Sequence, residues 1–159
     1  MAVFDTSDIV EVAIRIEENG VNFYRHAAGI ADRPEAKALF SRLAQDEAEH
    51  RRIFASILTS LAPSIPPEGY NPEYAAYLHS YVDNILVFKA EALAAELAKI
   101  RDETAAFDFA IARELDSIHY YRDILEMLPA DRRAPIEQII AEEKRHFTVL
   151  SEEKRKRNC

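Results

Sequence analysis

QDEAEHRRIF, residues Gln45 to Phe54, sets a carboxylate and an imidazole three positions apart, Glu47 and His50, in a run whose spacing turns Leu43, Phe54 and Ile57 inward. The full stripe is Phe40, Leu43, Glu47, His50, Phe54, Ile57 and Leu61, recurring at steps of three and four, which is one face of a helix. Three other segments carry the same kind of stripe. One is Val10, Ala13, Glu17, Val21, Tyr24 and Ala28; another is Phe107, Ala110, Glu114, Ser117, Tyr121, Ile124 and Leu128; the last is Ile136, Ile139, Glu143, His146 and Leu150. Each helix so defined directs one glutamate inward near its middle, and two of them add a histidine one turn later.

Outward from these stripes, the seven prolines fall at Pro34, between Pro63 and Pro72, at Pro129 and at Pro135. The segments between them are rich in Ala, Glu, Leu, Lys and Arg and lack the alternation of a strand, so the chain reads as all-α. The spacing predicts helices over Ser7 to Ile30, Pro34 to Leu61, Thr104 to Leu128 and Pro135 to Glu153, with Ser7 and Thr104 as caps and Pro34 and Pro135 in first turns. Short turns join the first helix to the second and the third to the fourth, which predicts two antiparallel hairpins. Between the hairpins APSIPPEGYNP forms a stiff bridge, followed by an extra helical segment from about Pro72 to Arg101 carrying Tyr74, Tyr77 and Tyr81, read as a packing stripe. A crossover of this length sets the second and third helices parallel and leaves room for hairpins exchanged within a homodimer.

The two hairpins repeat one another. AIRIEENGVNFY, Ala13 to Tyr24, lies over AIARELDSIHYY, Ala110 to Tyr121, matching Glu17 to Glu114 and Tyr24 to Tyr121. QDEAEHRRIF lies over AEEKRHFTVL, from Ala141, matching Glu47 to Glu143 and His50 to His146. Such duplication implies an approximate twofold axis between the hairpins.

Bulk properties narrow the function. A chain of 159 residues with 48% hydrophobic content suits a single domain over 1–159, with a short basic tail at about 154–159, Lys154 to Arg157 supplying its charges. The net charge of −8 argues against nucleic-acid or acidic-membrane partners. No leader pattern or long apolar run is evident, so a cytoplasmic location is expected. The one cysteine, Cys159, excludes an intrachain disulfide and a four-cysteine metal module.

Taken singly, a Glu or His on an apolar face is a snorkelling side chain or a satisfied core residue. Four glutamates crowded at mid-bundle are different, because each uncompensated buried ion costs several kcal/mol. Two divalent ions would balance four carboxylates, with the imidazoles entering as neutral nitrogen donors. Glu-x-x-His places both side chains on one face, able to hold a single ion while Glu17 and Glu114 bridge or chelate. One Glu from each of two helices plus Glu-x-x-His from each of the others is the known pattern of carboxylate-bridged di-iron or di-manganese bundles.

On these residues the chain resembles ferritin-like di-iron proteins, and among them the rubrerythrins without the rubredoxin domain. The resemblance rests on Glu17 with Tyr24, DEAEH at Asp46 to His50, Glu114 with Tyr121, and EEKRH at Glu142 to His146. It implies a ferritin-like four-helix bundle and a site of two iron ions, manganese being the alternative, held by Glu17, Glu47, His50, Glu114, Glu143 and His146. The implied activity is that of a peroxidase or ferroxidase, in which the reduced centre gives electrons to hydrogen peroxide or dioxygen. Ferrous iron or a separate electron-donor protein would supply those electrons. The alternative is an iron-binding or storage-linked protein with slow chemistry. Where rubrerythrins carry a further glutamate one turn after the third-helix ligand, this sequence has Ser117.

Tyr24 and Tyr121 are expected to hydrogen-bond a ligand or bound oxidant, against a reading as plain aromatic core. Asp46 and Glu142 are candidates to orient the imidazoles. His26, His79 and His119 lie off the stripes and read as surface or interface residues. A metal-free helical scaffold, with the six residues as a hydrogen-bonded polar layer, is the third reading.

Overall fold

The computed structural model describes residues 5–61, 72–73, 76–77, 80 and 90–159. Among these residues the elements are α1 (Thr6–Ile30), α2 (Pro34–Ser60), α3 (Ala90–Lys99), α4 (Glu103–Met127), a 3-10 turn (Ala130–Arg132) and α5 (Arg133–Arg157), with no strand. The all-α expectation and the four long helices are both found. Tyr74, Tyr81, His79 and most of the proline-rich bridge lie outside the described residues; Tyr77 is in helical conformation and its hydroxyl donates to Asp123 Oδ2 at 3.4 Å.

The helix starts differ from the expected ones for a chemical reason. Asp5 caps α1, its Oδ1 accepting the N–H of Ser7 at 2.7 Å and of Asp8 at 2.9 Å, while Asp8 returns an acceptor to the Asp5 N–H. Asp102 caps α4 through the Ala105 N–H. A carboxylate two residues upstream thus takes the role expected of Ser7 and Thr104, and complements the positive helix end as a hydroxyl cannot. The last helix begins at Arg133, ahead of Pro135, which still falls in the first turn where its missing N–H is harmless. It also continues to Arg157, so the basic run is its final turn and not a tail beyond it. Cations there meet the negative helix end, and two of them bind across to α4: Lys154 to Asp108 at 2.5 Å and Arg157 to Glu103 at 3.0 Å.

α1 packs along α2, and α4 along α5, as the hairpin expectation required. Between hairpins, α1 meets α4 and α2 meets α5. Both crossings are antiparallel: Glu17 reaches Tyr121 while Tyr24 reaches Glu114, and Asp46 faces His146 while His50 faces Glu142. With α1 antiparallel to α2 as well, α2 and α4 are parallel. The stripes read from the sequence are buried throughout except Leu61, which is half-exposed. They form two apolar layers. One gathers Ile9, Val10, Ala13, Phe54, Tyr120, Tyr121, Ile124, Ile136 and Ile139; the other gathers Phe23, Tyr24, Phe40, Leu43, Phe107, Ala110 and Leu150. The glutamates and histidines lie between these layers, away from water at either end.

One buried carboxylate outside the centre ties the hairpins together. Glu103, with no exposed surface, accepts the backbone N–H of Asp32 (2.8 Å) and Arg33 (2.9 Å) at the α1–α2 turn. It also receives the Arg33 guanidinium at 2.6 Å and that of Arg157 at 3.0 Å. Burial alone would raise its pKa, but the N–H donors of Arg33, Arg157 and Asp32 outweigh burial and hold it down at about 2. A depressed carboxyl contributes stability above its unfolded pKa of about 4.5, and that contribution disappears as pH falls towards 2. Allowing for solvent around the partly exposed arginines, Glu103→Gln should cost about 1–2 kcal/mol at pH 7 and almost nothing near pH 2, as read by urea unfolding at the two pH values.

Candidate metal centre

The six residues singled out in the sequence converge at mid-bundle within one chain. Potential donor atoms of Glu17, Glu47, His50 and Glu143 lie within 4.8 Å of one another, as do those of Glu47, Glu114, Glu143 and His146. The two groups share Glu47 and Glu143. The shared carboxylates are therefore those of the Glu-x-x-His pairs, and Glu17 and Glu114 each belong to one group, which fits the chelating one of the two roles, bridging or chelating, expected of them. The imidazoles of His50 and His146 face one another, ring centroids 5.7 Å apart and planes 20° from parallel, as the repeat's twofold axis predicts.

Each glutamate has one oxygen tied to the protein and the other unpaired. The Tyr121 hydroxyl donates to Glu17 Oε1 and the Tyr24 hydroxyl to Glu114 Oε1. Arg113 Nη2 donates to Glu47 Oε2 at 2.8 Å, and His146 Nδ1 lies 3.0 Å from Glu143 Oε2. The remaining atoms, Glu17 Oε2, Glu47 Oε1, Glu114 Oε2, Glu143 Oε1 and His50 Nδ1, are buried without a hydrogen bond. His50 Nδ1 lies 3.3 Å from Glu143 and 3.7 Å from Glu17, at ion-pair distance but outside hydrogen-bond geometry. Five orphaned donor atoms around one centre are what a bound cation would satisfy.

The outer ring nitrogens are tied as well. His50 Nε2 is 2.8 Å from Glu142 Oε2 and His146 Nε2 is 3.3 Å from Asp46 Oδ2, so each acidic residue faces the histidine of the opposite helix. A carboxylate on Nε2 keeps a proton there, so Nδ1 can serve the centre as a ligand once its own proton is displaced.

The electrostatics show how crowded the centre is without metal. Burial, then repulsion from neighbouring glutamates, pushes Glu17 and Glu114 well above the usual carboxylate range. Burial would lower His50, yet Glu143 and Glu17 raise it to about 12; His146 rises to about 9 in the same way, through Glu143 and Glu47. Metal-free, the imidazoles are thus held as cations, and a metal must displace their protons.

Sequence reasoning missed Arg113. It sits one residue before Glu114, off the stripe, yet its side chain is only 11% exposed and reaches Glu47, Glu114 and the Ile16 carbonyl. Four carboxylates and two divalent ions therefore do not balance to zero, because a fixed cation is already present. The signal lay in Gly20: a Cβ there would collide with the Arg113 guanidinium and the Glu47 carboxylate. Ser117 is buried but not aimed at the centre, since its hydroxyl donates to the Arg113 carbonyl one turn back at 3.0 Å. His119 is exposed, as expected; His26 instead is half-buried, with Nε2 2.8 Å from the Ile100 carbonyl, fixing α1 to the start of the second hairpin.

A family model for rubrerythrin matches residues 8–154. The chain belongs to the rubrerythrin family. Among solved structures, this rubrerythrin-family chain is similar to a ferritin-like diiron-carboxylate protein from Thermotoga maritima, at 27% identity and a TM-score of 0.66 over 98% of this chain and 97% of that one. No curated protein matches the chain. The fold is thus ferritin-like, and the buried Glu/His cluster fits a di-iron protein of this family. Among the described residues no helix is long and apolar enough to cross a membrane.

Proposed function

We propose that this rubrerythrin-family chain is a non-haem di-iron oxidoreductase whose reduced centre passes two electrons to hydrogen peroxide or dioxygen. The observation that carries this reading is the pair of four-residue donor groups sharing Glu47 and Glu143, with orphaned atoms turned to one centre. Glu17 and His50 would hold one ion, Glu114 and His146 the other, and Glu47 and Glu143 would serve both. Bound iron would supply one electron per ion and an open position for the oxidant, and its oxygen-rich ligands favour the ferric state. Manganese suits the same donors.

The chain's own groups do the rest. Tyr24, Tyr121 and Arg113 fix three of the carboxylates by one oxygen each. The two apolar layers exclude water from the ends. Access is at His146, whose 7% exposure contrasts with 0% for the other five. A surface recess of about 400 Å³, lined by Arg42, Asp46, Glu142, Arg145, His146 and Val149, opens there. Reduction of one peroxide to two waters consumes two protons, which solvent can deliver through this recess. The electrons come from ferrous iron itself or from a separate donor protein, and a homodimer is the assembly proposed for the chain.

Ser117 favours a second reading, an iron-binding or storage-linked protein with slow chemistry, since its back-bonded hydroxyl offers no carboxylate to the centre. Ser117→Glu separates the two. As an oxidoreductase, the Fe(II)-loaded parent consumes stoichiometric peroxide with a rise in near-ultraviolet absorption in stopped flow, and the variant turns over within about threefold of it. A gain above about tenfold in the variant supports the binding-protein reading.

A further inference from the structure

Arg113 has no counterpart in the other half of the repeat: the halves align it with Ile16 and align Ser117 with Gly20. The guanidinium threads into the slot that Gly20 leaves open, donating to Glu47 Oε2 at 2.8 Å and to the Ile16 carbonyl at 2.9 Å. Nη1 lies 3.7 Å from Glu114 Oε1, and the guanidinium carbon is 5.6 Å from the Tyr24 ring centroid. Among the described residues its ion pairs are with Glu47 and Glu114, not with Glu17 or Glu143. A charge beside one end of an otherwise twofold centre cannot act on both ends equally.

We infer that Arg113 makes the two metal positions unequal, so that the first ion enters the Glu17–His50 position and the Glu114–His146 position fills second and more weakly. This rests on the two-ion reading above. Two properties of the guanidinium lead to it. It stays cationic at any working pH and so repels a divalent ion near Glu114. It also has no lone pair to turn towards a metal. His146, which occupies the outer oxygen of Glu143, can give up that contact and become a ligand through Nδ1, freeing both Glu143 oxygens. Arg113 keeps hold of Glu47 Oε2, so Glu47 offers a single oxygen, Oε1, to two ions.

Anaerobic cobalt(II) titration, followed by ligand-field absorption and calorimetry, tests this. The parent should bind in two steps, the second severalfold weaker, because the guanidinium lies nearer one position than the other and the gap between the steps follows the difference of its two repulsions. In Arg113→Gln the gap between the two steps should narrow, the second affinity rising more than the first, while Arg113→Lys, which keeps the charge, should keep the parent's gap. A parent crystal given one equivalent of cobalt should show anomalous density at the Glu17–His50 position, a result that stands even if Arg113→Gln does not fold. Equal steps in the parent, steps unchanged in Arg113→Gln, or a first ion at Glu114–His146 would overturn the inference while leaving two-ion binding intact. Absence of any cobalt binding would overturn both.

Discussion

Glu143→Gln should leave the chain with less than one bound ion, whereas Glu17→Gln should lose one ion and keep the other. The difference follows from sharing: Glu143 belongs to both donor groups and Glu17 to one. Glutamine preserves shape but removes the anionic oxygen that a hard divalent cation prefers, and the affinity of every position using that oxygen should fall by at least about 100-fold. Inductively coupled plasma analysis of protein purified with iron, checked by equilibrium dialysis, measures the stoichiometry. Equal losses from the two variants would mean that Glu143 is not shared.

Metal removal should lower the melting temperature of the parent by about 10 °C. At a free metal concentration near 1,000 times Kd, linkage contributes about 4 kcal/mol, and a chain of this size shifts by about 2–4 °C per kcal/mol. Glu114→Gln separates this effect from packing. Burial, together with Glu143 and Glu47, pushes the Glu114 carboxyl well above the usual carboxylate range when metal is absent, so a neutral amide should leave the metal-free melting point within about 2 °C of the parent. The same change should erase most of the metal-dependent rise. Differential scanning calorimetry with and without chelator reads both quantities. A parent that melts at the same temperature either way would show that the glutamates are compensated by the protein alone.

Much of this centre was legible because period and polarity disagreed. Glu17, Glu47, Glu114 and Glu143 occupy stripe positions that packing alone would give to Leu or Ile, and all four are fully buried. The repeat then paired them, and the facing rings of His50 and His146 carry its twofold relation into three dimensions. What escaped depended on reach, not period. Arg113 lies one step off its stripe, where an arginine ordinarily extends into solvent, and only the space left by Gly20 lets it turn inward. Glu103 likewise shows no periodic signal, because its role is to close a turn 70 residues earlier in the chain. The helix starts were displaced by a residue or two because Asp5 and Asp102 outcompete nearby hydroxyls as caps. The basic run of Lys154 to Arg157 suggested a solvated tail, since its partners Asp108 and Glu103 lie on another helix that local sequence cannot reveal.

The central claim is that carboxylates gathered between two apolar layers are there to hold a pair of cations. Anomalous scattering from crystals grown with iron, collected at the iron and manganese edges, tests it most directly. Two peaks inside the bundle, one beside Glu17 and His50 and one beside Glu114 and His146, with Glu47 and Glu143 between them, are the predicted result. Crystals with no peak there, or with metal bound only at the surface, would contradict it.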